Sequence, residues 1–321
     1  MSAARGSVAG HPTRSQESES TMSTIAFIGL GVMGSPMAVH LQEAGHHVRG
    51  HTRTLSKAEA LGAAGGTVCA SAAEAVDGAD VICLMLPDSP DVEDVLIGDG
   101  AVLANATPGA LVIDFSTIRP DVTRRLAGLA GERGLRMLDA PVSGGQAGAE
   151  AATLSIMVGG DAGDVAAARR VLDVLGGTVV HVGASGAGQT VKAANQLVVA
   201  GTIQVLAEAV VLLEAQGLEL GPALDVLAGG LAGSAVLGQK RENFIERRFE
   251  PGFRTDLHHK DLGIVADTVR ESGVAAPMTS LLAALMSSAV ATGDGGLDHS
   301  ALLRGVDRLN GVQDAGPDQE G

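Results

Sequence analysis

The stretch Ser23-Thr-Ile-Ala-Phe-Ile-Gly29-Leu-Gly31-Val-Met-Gly34 decides the fold of this chain. Its first six residues are mostly apolar and predict a β-strand, and the apolar segment over 35–44 predicts a helix. Gly-x-Gly-x-x-Gly is a weak signal alone, but it indicates dinucleotide binding when it joins a strand to a helix. The first glycine allows a tight turn, the second lets the backbone approach a pyrophosphate, and the third lets the helix pack on the strand. An ordinary strand-to-helix turn is the competing interpretation.

Strands and helices alternate after the glycine loop as far as about residue 184, and every later element is predicted to be a helix. Further strands are predicted over 46–51, 67–69, 80–86, 110–115, 135–139, 154–158 and 178–182. This alternation predicts an α/β protein with a Rossmann-like doubly wound sheet, followed by an all-helical C-terminal domain. The expected parts are a disordered N-terminal tail without the apolar core of a secretory signal (1–22), an NAD(P)-binding domain (23–184), a helical domain for substrate binding and dimerisation (185–310), and a disordered tail (311–321).

The residues after the second predicted strand bear on the choice of cofactor. An NAD enzyme often has Asp or Glu there to bind the ribose 2′-hydroxyl, whereas this chain has Thr52-Arg53-Thr54. An arginine can bind a 2′-phosphate, and we expect that no carboxylate opposes it. The sequence therefore favours NADP(H). The alternative, in which Arg53 stacks on the adenine and NAD(H) also binds, stays open.

The run Gly186-Ala-Gly-Gln-Thr-Val-Lys192-Ala-Ala-Asn195-Gln196 begins a long apolar helix that is predicted to reach about Gly217. The spacing places Lys192, Asn195 and Gln196 on one face of a helix that should be buried. A buried lysine is costly without a partner or a task. The chain has four lysines and eighteen arginines, and only lysine can be tuned to release a proton. The alternative is that Lys192 extends to the surface while the amides bond to backbone.

A second candidate binding element is the segment Asp139-Ala-Pro-Val-Ser143-Gly144-Gly145. Consecutive backbone N–H groups in a glycine-rich turn can bind an anion. Such a turn would suit the carboxylate of a small acid. A flexible loop is the equally open alternative.

Charge and composition exclude several kinds of partner. The net charge of −15 and the absence of tryptophan and tyrosine argue against a nucleic-acid partner. Cys69 and Cys83 have no metal-ligand spacing, and His258 and His259 would point in different directions on a helix, so we expect no metal and two buried thiols in a reducing compartment. The apolar stretch 272–293 is too short and polar to span a membrane. We therefore expect a soluble cytoplasmic protein without a membrane partner.

Over about residues 24–310 these motifs resemble the β-hydroxyacid dehydrogenase family. The motifs that carry the resemblance are the glycine loop 29–34, Leu86-Pro87, Ser116-Thr117, the segment 139–145, Lys192-x-x-Asn195 and Lys260-Asp261. The resemblance implies an enzyme that transfers hydride from NAD(P)H to a small semialdehyde acid. Residues 192–196, 229–237 and 251–258 look most like the branch that reduces tartronate semialdehyde to glycerate, whereas residues 52–57 look more like NADPH-using glyoxylate reductases.

The resemblance also implies roles for individual residues. Lys192 would be the catalytic general acid. The substrate would be bound by Ser143, Gly144, Gly145, Asn195 and Gln196. The cofactor would be bound by Gly29, Leu30, Gly31, Met33, Gly34, Thr52, Arg53, Thr54, Leu86, Pro87, Thr117 and Lys260. Because the long helix is apolar on all sides, its outer face is expected to pack against a second subunit in a homodimer or homotetramer.

Several alternatives remain open at this stage. The substrate could be that of a 3-hydroxyisobutyrate dehydrogenase or of a glyoxylate or succinic semialdehyde reductase, and imine reduction is a more distant alternative. A non-catalytic cofactor-binding regulator is the alternative from another class. One departure from the family pattern is Ala152, where the family usually has glycine; it would stiffen the loop without removing a reacting group.

Overall fold

The computed structural model describes residues 22–312. The strands of this part are β1 (Thr24–Ile28), β2 (His47–His51), β3 (Thr67–Val68), β4 (Val81–Leu84), β5 (Leu111–Asp114), β6 (Arg136–Asp139), β7 (Val142–Ser143), β8 (Leu154–Gly159) and β9 (Gly176–Gly183). The predicted disordered tails lie outside the described residues, apart from Met22, Gly311 and Val312.

Helices cover both faces of the sheet and form the rest of the described chain. They are α1 (Gly34–Glu43), α2 (Glu59–Ala63), α3 (Ala72–Val76), α4 (Ser89–Ile97), α5 (Val102–Asn105), α6 (Pro120–Glu132), α7 (Gly145–Glu150), α8 (Ala162–Leu175), α9 (Ala187–Ala215), α10 (Leu220–Gly229), α11 (Ala235–Glu246), α12 (Thr255–Ser272), α13 (Pro277–Ala291) and α14 (Leu302–Leu309). Three 3-10 turns lie at Leu55–Ala58, Asp294–Gly296 and His299–Ala301.

The order of the first six strands confirms the predicted doubly wound sheet. The order is β3-β2-β1-β4-β5-β6, and each pair is parallel. β8 continues the sheet antiparallel to β6, and it pairs with β7 on one side and β9 on the other. Ile28 at the end of β1 is in register with His51 of β2 and Leu84 of β4. The carboxyl ends of the central strands therefore meet at one edge, where open α/β sheets bind their ligands.

Side chains alternate between the two faces of the sheet and build a hydrophobic layer on each. In β1, Ile25 and Phe27 belong to one core cluster, and Ala26 and Ile28 belong to the other. Helices cover both layers, so the strands are buried on both faces. This is why β1 reads as a continuous apolar run in the sequence.

The helical region has its own core, built around the 29-residue helix α9. α9 contacts α10, α11, α12, α13 and α14. In residues 22–312 it is the single helix long and apolar enough to cross a membrane, but a central helix of a folded domain satisfies the same criteria. The predicted apolar stretch after residue 272 forms α13, which has 15 residues.

Hydrogen bonds attach the start of α9 to the carboxyl edge of the sheet. Asp139 at the end of β6 accepts from the backbone N–H groups of Gly186 (2.8 Å) and Gln189 (3.0 Å). The Gln189 amide donates to the carbonyl oxygen of Ser116 (2.8 Å) and accepts from the N–H of Ile118 (3.1 Å). These bonds fix the first turns of α9 next to the carboxyl ends of β5 and β6.

Two expectations about local structure need correction. The glycine-rich segment near Gly144 is not simply a loop, because its residues form β7 and α7. Cys69 lies just after β3 and not within it, whereas Cys83 lies within β4. Both cysteines are buried and free, as predicted.

Candidate active site

Close packing requires glycine at two of the three glycine positions in the loop between β1 and α1. Gly29 has φ +100°, and a Cβ there would overlap the carbonyl oxygen of Met85. A Cβ at Gly34 would overlap the carbonyl oxygen of Gly29, so only glycine lets α1 approach this closely. A Cβ at Gly31 would meet no atom within 4 Å. The loop is therefore tight at its ends and faces open space in the middle.

The start of α1 is available to an anion. α1 begins at Gly34, and its N-cap residue Met33 makes no side-chain cap hydrogen bond. The first N–H groups of a helix have no partner within the helix and attract phosphate. The side chain of Leu30 is fully buried beside Gly50, so Leu30 can meet a ligand only through its backbone.

Arg53 lies beyond the end of β2, beside this loop. Its side chain is 81% exposed, and its Nη2 atom lies 3.2 Å from Oδ1 of Asp91, whose side chain is 28% exposed. The expectation that no carboxylate opposes Arg53 is therefore wrong. Asp91 is in the first turn of α4 and reaches Arg53 through the tertiary fold, so the sequence around Arg53 gave no sign of it.

Lys260 of α12 joins the helical region to the ends of β4 and β5. Its Nζ atom donates to the carbonyl oxygens of Pro87 (3.0 Å) and Thr117 (2.8 Å). The backbone N–H of Leu86 donates to the hydroxyl of Ser116 (2.9 Å). Leu86, Pro87, Thr117 and Lys260, which the family resemblance assigns to the cofactor, thus lie together although they come from three separate segments.

Lys192 is buried, with 6% of its surface exposed. Its Nζ atom donates to Oε1 of Gln196 (2.9 Å), and Nδ2 of Asn195 donates to the same oxygen (2.9 Å). Nε2 of Gln196 donates to Oδ2 of Asp261 (2.6 Å). The alternative in which Lys192 extends to the surface is therefore wrong.

The surroundings of Lys192 make its proton easier to remove. Burial lowers its pKa to about 8; the carboxylate of Asp261 opposes this change, and the charge of Lys260 adds to it. A group with a pKa near the working pH can both give and take a proton. This chemistry suits an acid–base catalyst better than a structural lysine.

Asp261 belongs to this cluster, although its sequence context predicted no role for it. Its carboxylate is almost fully buried and lies between two groups: Oδ1 is 2.8 Å from Nζ of Lys260, and Oδ2 accepts from Gln196. The only signal in the sequence was its position directly after Lys260. Asp261 connects the lysine that reaches the sheet edge with the turn of α9 that carries Lys192.

The glycine segment around Gly144 lies against the helical region. Gly144 and Gly145 have φ of +134° and +61°, and α7 begins at Gly145 without a side-chain cap. A Cβ at Gly145 would lie 3.9 Å from the carbonyl oxygen of Gly252. Ser143 is half-buried at the end of β7. The N–H groups at the start of α7 can therefore meet an anion at the junction between the sheet and the helices.

His258 contacts the turn of α9 that carries Lys192 and Gln196. Its Nε2 atom lies 3.1 Å from the carbonyl oxygen of Gln196, and its Nδ1 atom lies 3.0 Å from Nδ1 of His299. A carbonyl can only accept, so Nε2 of His258 donates and its Nδ1 accepts the proton of His299. Burial lowers the pKa of both histidines, which keeps the pair neutral.

Two family models match the folded part of the chain. The model for the NAD binding domain of 6-phosphogluconate dehydrogenase matches residues 24–183, and that for the NAD-binding of NADP-dependent 3-hydroxyisobutyrate dehydrogenase matches residues 186–306. The chain is also 38% identical over 286 residues to the 2-hydroxy-3-oxopropionate reductase of Escherichia coli, an alignment that covers 89% of this chain and 97% of the relative. The chain belongs to the β-hydroxyacid dehydrogenase family.

Other members of the β-hydroxyacid dehydrogenase family are similarly close. The chain is 39% identical over 297 residues to the NAD-dependent L-serine dehydrogenase of Pseudomonas aeruginosa, covering 90% of this chain and all of the relative. The solved structure of Mycobacterium tuberculosis 3-hydroxyisobutyrate dehydrogenase with L-serine is 40% identical with a TM-score of 0.81, covering 89% of this chain and 99% of that one. The predicted family and fold are confirmed, and the protein is an NAD(P)-dependent oxidoreductase.

The residues at the sheet edge of this β-hydroxyacid dehydrogenase fit a nicotinamide dinucleotide. Gly31 faces open space where backbone can approach a pyrophosphate, and the uncapped start of α1 offers N–H groups to it. Arg53 provides a cation at the end of β2. These observations agree with a nicotinamide cofactor.

Proposed function

We propose that this enzyme is an NAD(P)H-dependent reductase of a small semialdehyde acid, and that its substrate is tartronate semialdehyde, which it reduces to glycerate. The cluster of Lys192, Asn195, Gln196 and Asp261 carries the proposal, because it places a lysine with a lowered pKa beside the sheet edge where the cofactor would bind. The 2-hydroxy-3-oxopropionate reductase of E. coli supports this choice of substrate, since 2-hydroxy-3-oxopropionate is tartronate semialdehyde.

The proposed roles in reduction follow from the contacts of Lys192. A bound nicotinamide would supply the hydride that reaches the aldehyde carbon. Lys192 in its ammonium form donates a proton to the carbonyl oxygen as negative charge develops there. Gln196 holds Nζ in place through Oε1, and Asp261 orients the amide of Gln196. Gln196 then acts mainly on the lysine, in addition to the substrate contact predicted from the sequence.

The proposed substrate contacts divide between the start of α7 and the turn of α9 that carries Lys192. Ser143, Gly144 and Gly145 would bind the carboxylate through the N–H groups at the start of α7. The Nδ2 atom of Asn195 is engaged by Gln196, whereas its Oδ1 atom has no hydrogen-bond partner among residues 22–312. This acceptor suits the hydroxyl group that tartronate semialdehyde carries next to its carbonyl.

The proposed cofactor assignment favours NADP(H), with NAD(H) as the alternative. Arg53, flanked by Thr52 and Thr54, would bind the 2′-phosphate. Gly29, Leu30, Gly31, Met33 and Gly34 would meet the pyrophosphate mainly through backbone, and Leu86, Pro87, Thr117 and Lys260 would contact the nicotinamide half. In this arrangement residues 23–184 bind the cofactor, and residues 185–310 complete the substrate site.

We also propose that the enzyme is a homodimer or homotetramer. Four apolar side chains form a stripe at intervals of seven residues along α9 and remain exposed: Val191 (39%), Val198 (66%), Val205 (55%) and Leu212 (63%). A repeat of seven keeps them on one side of the helix. A second copy of the chain would cover this stripe. The two buried, free thiols agree with a cytoplasmic location.

Steady-state reduction of a panel of small aldehydes, each with NADPH and with NADH, tests the proposed substrate. Tartronate semialdehyde should have the highest kcat/KM. Methylmalonate semialdehyde, which has methyl in place of hydroxyl, should be at least about tenfold poorer, because the substrate would cover the half-buried Asn195 and leave its acceptor unpaired, which costs about 1–3 kcal/mol. A preference for methylmalonate semialdehyde would indicate a 3-hydroxyisobutyrate dehydrogenase, and fast glyoxylate or succinic semialdehyde turnover would indicate the other reductases. Turnover of none of them would contradict the proposed substrate class.

A further inference from the structure

The ion pair between Arg53 and Asp91 lies where the choice between NADPH and NADH would be made. We propose that Asp91 sets the cofactor selectivity of this enzyme: by pairing with Arg53 it weakens the preference of the arginine for a 2′-phosphate. This inference rests on the proposed cofactor role of Arg53. It predicts that this chain, despite the arginine after β2, also accepts NADH.

The two residues reach each other across the end of the central strand. Arg53 follows β2, which flanks β1 on one side, and Asp91 belongs to α4, which follows β4 on the other side. The pair therefore spans the carboxyl end of β1, beside the glycine loop. A dinucleotide bound at this edge would lie next to both charges.

The exposure of the two side chains suggests a role in ligand binding more than in stability. An ion pair with an arginine this exposed is screened by water and contributes little to folding. Asp91 is the more buried partner, and its place in the first turn of α4 is favourable for a negative charge. The more buried carboxylate thus belongs to a helix, and the long, exposed side chain of Arg53 extends to it.

The contact with Asp91 weakens the attraction of Arg53 for a phosphate but leaves the arginine able to bind one. A guanidinium group has five N–H donors, and Asp91 contacts it through Nη2. A 2′-phosphate can still bind the remaining donors. The 2′-phosphate must then share the positive charge of Arg53 with Asp91. It is also repelled by the negative charge of Asp91. A 2′-hydroxyl carries no charge, so it neither competes with Asp91 for the charge of Arg53 nor is repelled by Asp91.

Dissociation constants for NADPH and NADH, measured by fluorescence titration of the intact enzyme, test the inference. Asp91→Asn keeps the shape of the side chain and removes its charge. We expect the Kd of NADPH to fall about threefold to tenfold and that of NADH to change less than about twofold. Glu93→Gln is the matched control, because Glu93 is on the same helix but pairs with Arg125. It should change neither constant by more than about twofold.

The variant Arg53→Ala separates this inference from the assignment of Arg53 itself. Arg53→Ala should weaken NADPH binding selectively. Adding Asp91→Asn to it should favour NADPH less than Asp91→Asn does alone, because only the direct repulsion between Asp91 and the 2′-phosphate is then removed. If Arg53→Ala weakens NADPH selectively but Asp91→Asn acts like Glu93→Gln, the inference is wrong and the arginine assignment stands. If Arg53→Ala affects both cofactors equally, the assignment and the inference are both wrong. The semialdehyde panel tests the reductase activity independently of either result.

Discussion

Lys192 and Gln196 lie one turn apart on α9, with Nζ of the lysine 2.9 Å from Oε1 of the glutamine. The same oxygen accepts from Asn195, and the amide nitrogen of Gln196 donates to Asp261. Gln196 therefore uses both ends of its amide inside the protein. It links the lysine to the carboxylate of α12, and this link fixes where the ammonium group points.

Gln196→Leu should lower kcat for reduction by about fivefold to a hundredfold, because the ammonium loses its acceptor and Asp261 loses a donor in a buried site. The Kd of NADPH should stay within about twofold, since Gln196 is assigned to the lysine and the substrate. Gln204→Leu is the matched control: Gln204 is also buried on α9 but bonds to Glu208. Equal losses of kcat in the two variants would show that Gln196 has only a structural role.

The pH dependence of the reaction should follow Lys192, whose pKa burial lowers to about 8. Reduction needs the ammonium form, so its rate should fall as pH rises through about 8, approaching about tenfold per pH unit. Oxidation of the hydroxy acid needs the neutral amine, so its rate should rise over the same range. Measuring kcat/KM in both directions from about pH 6 to about pH 10 checks this. A reduction rate that increases through pH 8 would rule out Lys192 as the acid.

The sequence predicted what depends on local pattern and missed what depends on tertiary contact. The glycine loop and the apolar strands predicted the sheet because their signals lie within a few residues of one another. Lys192 was identifiable because burying a lysine in an apolar helix is energetically costly. Asp91 and Asp261 were missed as partners, since Arg53 and Gln196 meet them only after the chain has folded.

The backbone at Ala152 is strained, because this residue has φ +53°. A residue with a Cβ loses about 1–2 kcal/mol in the left-handed region, and replacing it with glycine removes this cost. Glycine also has greater conformational freedom in the unfolded chain, which offsets part of the stabilisation. Ala152→Gly should therefore increase the free energy of unfolding by about 0.5–1 kcal/mol. Chemical denaturation measures this change. Ala151→Gly is the control: Ala151 has φ −87° and should gain nothing.

The exposed stripe of α9 should be the contact between subunits. Val198→Glu places a charge in the middle of the stripe and should convert the oligomer into smaller species, because an unpaired charge is costly to bury in an interface. Size-exclusion chromatography with light scattering measures the mass. Val180→Glu is the control, because Val180 is also exposed but lies on β9. A monomeric unsubstituted protein would contradict the assignment of this face.

The rate of tartronate semialdehyde reduction by Lys192→Ala, measured with saturating NADPH, tests the central claim most directly. General acid catalysis typically contributes about 10² to 10⁴ in rate, so kcat should fall by that factor. The Kd of NADPH should stay within about threefold, because the lysine is assigned to the substrate oxygen and not to the cofactor. A folded variant that binds NADPH normally and turns over within about tenfold of the unsubstituted enzyme would contradict the assignment of Lys192 as the general acid.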